Sequence, residues 1–213
     1  SFTPGIDRDE RSRTWAQDPG DLSFLAKPPG GDQLIVRVVR GGVPGDPIAV
    51  AETGSDIYKS SVTVAGDGTA WIFWSQNKNY KPYPNNPTAN FDIWARTLKD
   101  GKLGEPRRIS ESNENDVWPV AATDSTGKVW IAWQGARKGI FKIIARRQEG
   151  EAFSAEQVVS TQSRSCWAPA ICATSAGGGK LAIAWDTYEK GDYDVWLREF
   201  DKTGKPGEAR PVA

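Results

Sequence analysis

Asp56, Asp116 and Asp186 are the residues of this chain best suited to acid-base chemistry, because they stand within two residues of Tyr58, Trp118 and Trp185 and the chain contains no histidine. Without imidazole there is no Ser-His-Asp or Cys-His nucleophile, no histidine-ligated zinc or haem, and no side-chain proton shuttle of ordinary pKa near neutrality. Proton transfer would fall to Asp, Glu, Lys or Tyr. A glycosidase needs two carboxyl groups roughly 5 to 10 Å apart, and Asp116 and Asp186 are the first candidates for such a pair. The competing reading is that aspartates next to turns and strand ends hydrogen-bond the local backbone. Asp92 and Asp194 read as structural, since Lys142 stands at the matching place in another copy of the same motif.

Tyr58, Trp118 and Trp167 each open a small-residue strand, preceded by SDIY, NDVW and RSCW. With Asp56, Asp116, Arg164, Gln134 and Asp186 they would line a shallow polar and aromatic funnel. Aromatic faces pack on the apolar faces of sugar rings, while Asp, Asn and Arg supply directional hydrogen bonds. The alternative is that the three aromatics, expected at equivalent places in three units, are packing residues. Packing is the expectation for Trp74, Trp133 and Trp185, which end strongly apolar strands. No complete calcium loop is visible, and no metal or cofactor is expected.

The elements that would carry these residues recur along the chain. AWIFW (Ala70 to Trp74) returns as VWIAW (Val129 to Trp133) and LAIAW (Leu181 to Trp185), each after a glycine-containing turn. FDIWAR (from Phe91), FKIIAR (from Phe141) and YDVWLR (from Tyr193) follow them, and then GEPRRIS, SAEQVVS and GEARPVA. Each unit thus offers four short β-prone segments at a period of 50 to 60 residues. A partial earlier copy is visible in QLIVRVVR (Gln33 to Arg40) and GDPIAVA (Gly45 to Ala51); Trp15 and the stretch Leu22 to Ala26 are candidates for its missing strands. Four-stranded units at this period predict an all-β chain, a β-propeller of about four blades, closed as a small ring or forming part of a larger one. A blade buries both faces only when stacked, which explains strands that are apolar on both sides. The expected divisions are 1–51 for a degenerate first blade and 52–110, 111–160 and 161–213 for the others. The connection Ser75 to Asn90, long and rich in Asn, Pro and Tyr, reads as functional or irregular.

Lys plus Arg and Asp plus Glu both number 27, so the net charge is zero, and no clustered cationic surface for nucleic acid is expected. No apolar run approaches the roughly 20 residues of a membrane span. Cys166 and Cys172 lie roughly 20 Å apart if they share one strand, too far for a disulfide; two buried free thiols are expected. The chain starts at Ser1 and has no methionine, which suggests a removed leader, and so a secreted or periplasmic protein, or a piece of something longer.

The stretches STGKVWIAW, GDYDVWLREFDKTG and FDIWARTLKDG with GEPRRIS resemble the blades of TolB-like and sialidase-like propellers, over roughly residues 32 to 213. The resemblance implies the blade and not the site, because such propellers include periplasmic binding partners, lectin-like modules and glycosidases. The sialidase Asp-box is not met at Ala65 to Trp71 or Thr123 to Trp130, and the Phe-Arg-Ile-Pro element is missing, so no catalytic residue is carried over. The leading expectation is a non-catalytic binding or scaffolding propeller presenting one face to a glycan or protein partner. The alternative is a glycoside hydrolase or lyase domain; a third reading packs the blades against further blades or another domain of the same polypeptide.

Overall fold

The computed structural model describes residues 32–51, 56–77, 90–174, 179–189 and 191–212. Trp15, the segment Leu22 to Ala26 and most of the connection Ser75 to Asn90 lie outside them. The described residues are all-β, with no helix, and form five sheets.

Three of these sheets are antiparallel meanders that follow chain order. The first comprises β5 (Asp56–Val64), β6 (Ala70–Asn77) and β7 (Asp92–Lys99), with β8 (Lys102–Leu103) and β9 (Arg107–Arg108) both on the outer edge of β7. The next comprises β10 (Asp116–Thr123), β11 (Val129–Arg137) and β12 (Ile140–Glu149), edged by β13 (Ala152–Phe153) and β14 (Gln157–Val158). The last comprises β15 (Cys166–Ala173), β16 (Leu181–Glu189), β17 (Asp192–Phe200) and β18 (Pro206–Pro211). Ahead of them, β1 (Ile35–Val36) pairs with β4 (Ile48–Ala49), and β2 (Val39–Arg40) with β3 (Val43–Pro44). These four short strands repeat the arrangement of β7, β8 and β9 alone, so the partial first copy consists, among the described residues, of a third and a fourth strand.

Alternation along the strands explains why both faces are apolar. Trp71, Phe73, Ile93 and Ala95 share one core cluster with Ile131, Trp133 and Ile144 of the next sheet, whereas Ile72 and Trp74 join Val50 of the preceding unit. In the same way Trp130, Ala132, Ile143 and Ala145 pack on Leu181, Ile183, Trp185 and Phe200. The central strands β6 and β11 therefore each feed two interfaces and β16 one among the described residues, and Trp74, Trp133 and Trp185 are at most 1% exposed, as expected of packing residues.

Backbone contacts lock neighbouring sheets in register. The Gly66 N–H donates to the Gly127 carbonyl at 2.8 Å, and a Cβ on Gly66 would stand 2.8 Å from the Gly127 Cα, so only glycine permits this approach. Alongside it, Thr63 and Thr123 share a 2.9 Å hydroxyl bond, and the Ala121 N–H donates to Ser61 Oγ at 3.0 Å. The turn aspartates serve their own turns. Asp124 and Asp201 each accept from the backbone and hydroxyl of the threonine two positions on and from a lysine N–H beyond it.

Candidate functional site

The starts of β5, β10 and β15 lie beside the ends of β6, β11 and β16, which brings the expected site segments of each unit together. The register also corrects their equivalence. Tyr58 pairs with Ser75, Val117 with Gln134, and Trp167 with Asp186, and those three partners each follow the strand-two tryptophan. Tyr58, Val117 and Trp167 are thus equivalent, and Trp118 stands one residue further on, with Lys59 and Ala168. The three residues of that second set all have left-handed backbones, φ +56°, +59° and +47°. They form the bulge that interrupts each first strand, where a non-glycine residue costs roughly 1–2 kcal/mol.

This bulge turns the Trp118 N–H toward the preceding sheet, where it donates to Ser75 Oγ at 3.1 Å. The Ala168 N–H donates likewise to Gln134 Oε1 at 3.4 Å, which gives Gln134, nearly buried, an inter-sheet structural role. The Trp118 ring stands edge-on to the Tyr58 ring, centroids 6.2 Å apart, and Tyr58 is edge-on to Phe91 at 6.5 Å. Lys59 Nζ lies 4.7 Å from the Trp118 ring centroid and 5.7 Å from that of Tyr58. Three rings and an ammonium thus form one cluster across two sheets, with Tyr58 42% exposed. Lys59 and Phe91 were not among the expected site residues. Lys59 gave no sequence signal, because only the register reveals that it shares the Trp118 position.

Asp116 lies fully buried on the next sheet. Its Oδ1 accepts from the Trp133 indole at 2.8 Å and from Arg137 at 2.9 Å, and Arg137 also binds Glu156 at 2.7 Å. Its Oδ2 is buried and accepts no hydrogen bond among the described residues. Burial pushes the carboxyl up to about 6, against the opposing pull of Arg137 and Trp133. Gly135 makes the room: a Cβ there would stand 2.3 Å from Asp116 Oδ1 and 2.8 Å from Ile144 Cδ1. Asp116 is therefore a core carboxylate with internal partners, and Arg137 and Glu156 are the members of its network that sequence reasoning missed.

The remaining expected residues are not drawn into the aromatic cluster. Asp56 is half-buried, and burial with the neighbouring Asp32 raises its pKa, while Asn77 opposes the rise. Trp167 and Asp186 face each other in the ladder of the last sheet, both half-buried, and Trp167 meets no other ring among the described residues. Arg164 is exposed and makes no ion pair among the described residues. Asp186 likewise has no ion-pair partner among them, so nothing couples it to Asp116. Asp92 accepts from Arg108 at 2.6 Å, in keeping with a structural role. Cys166 is buried and Cys172 is exposed, which corrects the expectation of two buried thiols: the bulge between Trp167 and Ala170 shifts the alternation along β15, so Cys172, six residues on, points to the side no other described sheet covers. Among the described residues no group of three or more metal-ligating side chains comes together.

No family model matches this chain, and no curated protein matches it. Among solved structures it is similar to a protein of unknown function from Dyadobacter fermentans, at 13% identity and a TM-score of 0.57, over 75% of this chain and 55% of that one. It also aligns with a polysaccharide lyase, a PL25 ulvan lyase, at 15% identity and a TM-score of 0.48, over 77% of this chain and 43% of that one. The first likeness is one of fold alone, and the chain spans about half the length of each neighbour.

Proposed function

We propose that the chain is a non-catalytic binding module, built as an arc of a β-propeller of the TolB-like or sialidase-like kind, that presents the strand-one end of its sheets to a saccharide. The propeller reading is supported by successive antiparallel meanders of four or five strands packed face against face. One observation carries the ligand reading. Tyr58 and Trp118 come from adjacent sheets, meet edge-on, and leave Tyr58 42% exposed beside the Lys59 ammonium. An exposed aromatic surface packs against the C–H faces of a sugar, and an ammonium held over it by cation–π attraction donates to ring hydroxyls. The test is titration of a polysaccharide panel while following tryptophan emission. Binding that is lost in Trp118→Gly, with the fold preserved, supports the reading; unchanged binding in that variant rejects it. Glycine is the informative replacement because it accepts the left-handed backbone without strain.

A second reading is a hydrolase or lyase that uses Asp carboxylates; it would rest on Asp116 alone, since nothing among the described residues joins that side chain to Asp186. Its support is an Asp116 carboxyl pushed up to about 6, with one oxygen unengaged among the described residues, the condition a general acid needs. Turnover of a polysaccharide that vanishes in Asp116→Asn, with binding retained, would replace the binding-module reading.

A further inference from the structure

The contacts between successive sheets share recurring elements, and both ends of the described array carry unused halves of them. Across the three described interfaces the earlier sheet contributes later-facing apolar side chains and, at two interfaces each, the residue after its strand-two tryptophan (Ser75, Gln134) and a fourth-strand carbonyl (Val50, Ile109). The later sheet contributes a bulge N–H, a third-strand arginine and its own earlier-facing side chains. The Arg96 guanidinium donates to the Val50 carbonyl at 2.9 Å, and Arg146 to the Ile109 carbonyl at 2.6 Å. The last interface departs from this: among the described residues Arg198 donates to no carbonyl of the preceding sheet, and its buried Nε finds no hydrogen-bond partner either. There Arg147 takes over, donating to the Lys202 and Thr203 carbonyls.

The later-facing side of the last sheet has no cover among the described residues. Ala170, Cys172, Ala182, Ala184, Val195 and Leu197 stand on it, by the same alternation that turns Val120, Ala132 and Ile143 of the preceding sheet onto their neighbour. Ala132, at the place of Ala184, is fully buried, whereas Val195 is 36% exposed and Val212 is 57% exposed. A repeat array that ends in solvent is expected to carry a polar outer face on its terminal unit. This one carries alanine, valine and leucine across its centre, with Glu199 and Arg210 on the same face toward its outer strands and Asp186 at the acceptor place held by Ser75 and Gln134 in the earlier interfaces.

The first unit shows the complement. Val50 N–H bonds to the Leu34 carbonyl just as Ile109 does to Ile93 and Val212 to Val195, which aligns Ile35 with Trp94 and Arg37 with Arg96. Arg37 donates to the Gly45 carbonyl at 3.1 Å, as Arg96 does to Gly104, but no preceding sheet receives its second contact among the described residues. Ile35, at the place of the half-buried Trp94, is 50% exposed.

We propose that these two faces are halves of one interface and that the occupant is a second copy of this chain, joined head to tail. The first unit of one copy covers the last sheet of the other, with Arg37 directed at the Val212 carbonyl as Arg96 is at Val50. Continuity with the three interfaces inside the chain argues for this occupant: the open faces have the same side-chain alternation and unused hydrogen-bonding groups of matching kind. The association is heterologous, so each copy keeps a second complementary face and two copies close upon each other only if the rotation permits. It does not depend on the saccharide reading.

Sedimentation equilibrium of the intact chain over micromolar concentrations tests it. The expected mass is twice 23.3 kDa or a higher multiple. Ala184→Glu blocks only the last face and Ile35→Glu only the first, so each variant alone is expected to weaken association about tenfold or more. An equal mixture of the two restores a dimer, because one intact pair of faces remains. Val195→Glu and Arg37→Ala repeat the two arms should either glutamate variant lose its circular-dichroism signature. A wild-type chain that stays monomeric overturns the proposal, leaving the faces to a different protein or to further sheets. Variants that associate normally, or a mixture that stays monomeric, overturn it equally.

Discussion

The indole N–H of Trp133 donates to Asp116 Oδ1 across 2.8 Å inside the core between two sheets. The same indole position is satisfied differently elsewhere: Trp74 donates to Gln76 at 2.7 Å and Trp185 to Gln162 at 3.0 Å. A buried indole needs an acceptor, but the repeat does not prescribe which residue supplies it. Only in the unit built on β10 to β12 is the acceptor a carboxylate, and there it is joined by Arg137. A buried charge without its partner is costly, so among the described residues this one unit carries an electrostatic dependence at its strand-two tryptophan that the others lack.

Removing the carboxylate should therefore destabilise more than its size suggests. Asp116→Ala leaves the Trp133 indole without its acceptor and Arg137 with Glu156 alone, and about 3 kcal/mol of stability should be lost. Urea unfolding reads the loss as a lower midpoint with an unchanged slope. A change within experimental scatter would show that the pair is not coupled to the fold.

Acidity should act on this carboxyl in the opposite sense from most. Its folded pKa, about 6, lies above the unfolded value of 3.8, so the folded state binds the proton more tightly. The stability it costs when ionised is relieved as pH falls from about 6 toward 4. Asp124 runs the other way. Burial raises its pKa, but bonds from Thr126, Trp130 and Arg147 outweigh this and hold it at about 2, so its contribution is lost as pH falls below 3.8. Urea midpoints should thus rise from pH 7 to pH 5 and fall below about pH 4. No histidine titrates in the upper window, and Asp116→Asn should abolish the rise there while leaving the acid limb.

Filling the space beside the same pair should disturb it sterically. The Cβ of Gly135→Ala would stand 2.3 Å from Asp116 Oδ1 and 2.9 Å from Arg137 Nη1. A loss of about 1–3 kcal/mol is expected, together with a shift in tryptophan emission as Trp133 moves. An alanine variant as stable as wild type would mean that the carboxylate can move aside freely.

Relief of backbone strain gives a prediction of opposite sign. Ala168 is held at φ +47° with its N–H committed to Gln134. Ala168→Gly removes the Cβ clash and should raise stability by up to about 1 kcal/mol. Destabilisation would mean that the alanine methyl contributes more to packing than the strain costs.

The two thiols should differ in reactivity. Cys166 is buried, with its thiol near Gln162 Oε1 and the Arg164 carbonyl, and Cys172 is exposed. In the dilute native protein one equivalent should react promptly with an aromatic disulfide reagent, and two after unfolding. Slower labelling of Cys172 at high concentration would accompany head-to-tail association; prompt reaction of both native thiols would contradict the burial of Cys166.

How much of this was legible in the residues differs from element to element. AWIFW, VWIAW and LAIAW, each behind a glycine turn, are found as β6, β11 and β16, because apolar residues on both sides of a strand demand cover on both sides. The partial copy at Gln33 to Ala51 was legible for the same reason, and it supplies just the third and fourth strands. The aromatics Tyr58, Trp118 and Trp167 could be picked out but not aligned. A bulge adds one residue to one strand without marking the sequence, and it moves Trp118 to the place of Lys59.

Local composition, periodicity and turn chemistry were therefore enough to determine the repeated all-β units and the absence of imidazole chemistry, since both depend on residue type and spacing along the chain. Tertiary structure alone decided that Asp116 is a buried partner of Trp133 and Arg137, that Cys172 faces outward, and that Lys59 joins Tyr58, Phe91 and Trp118. Each of these is a relation between residues 17 to 60 positions apart or a matter of which face is covered. Strand pairing and sheet packing set such relations, and no short stretch of sequence encodes them.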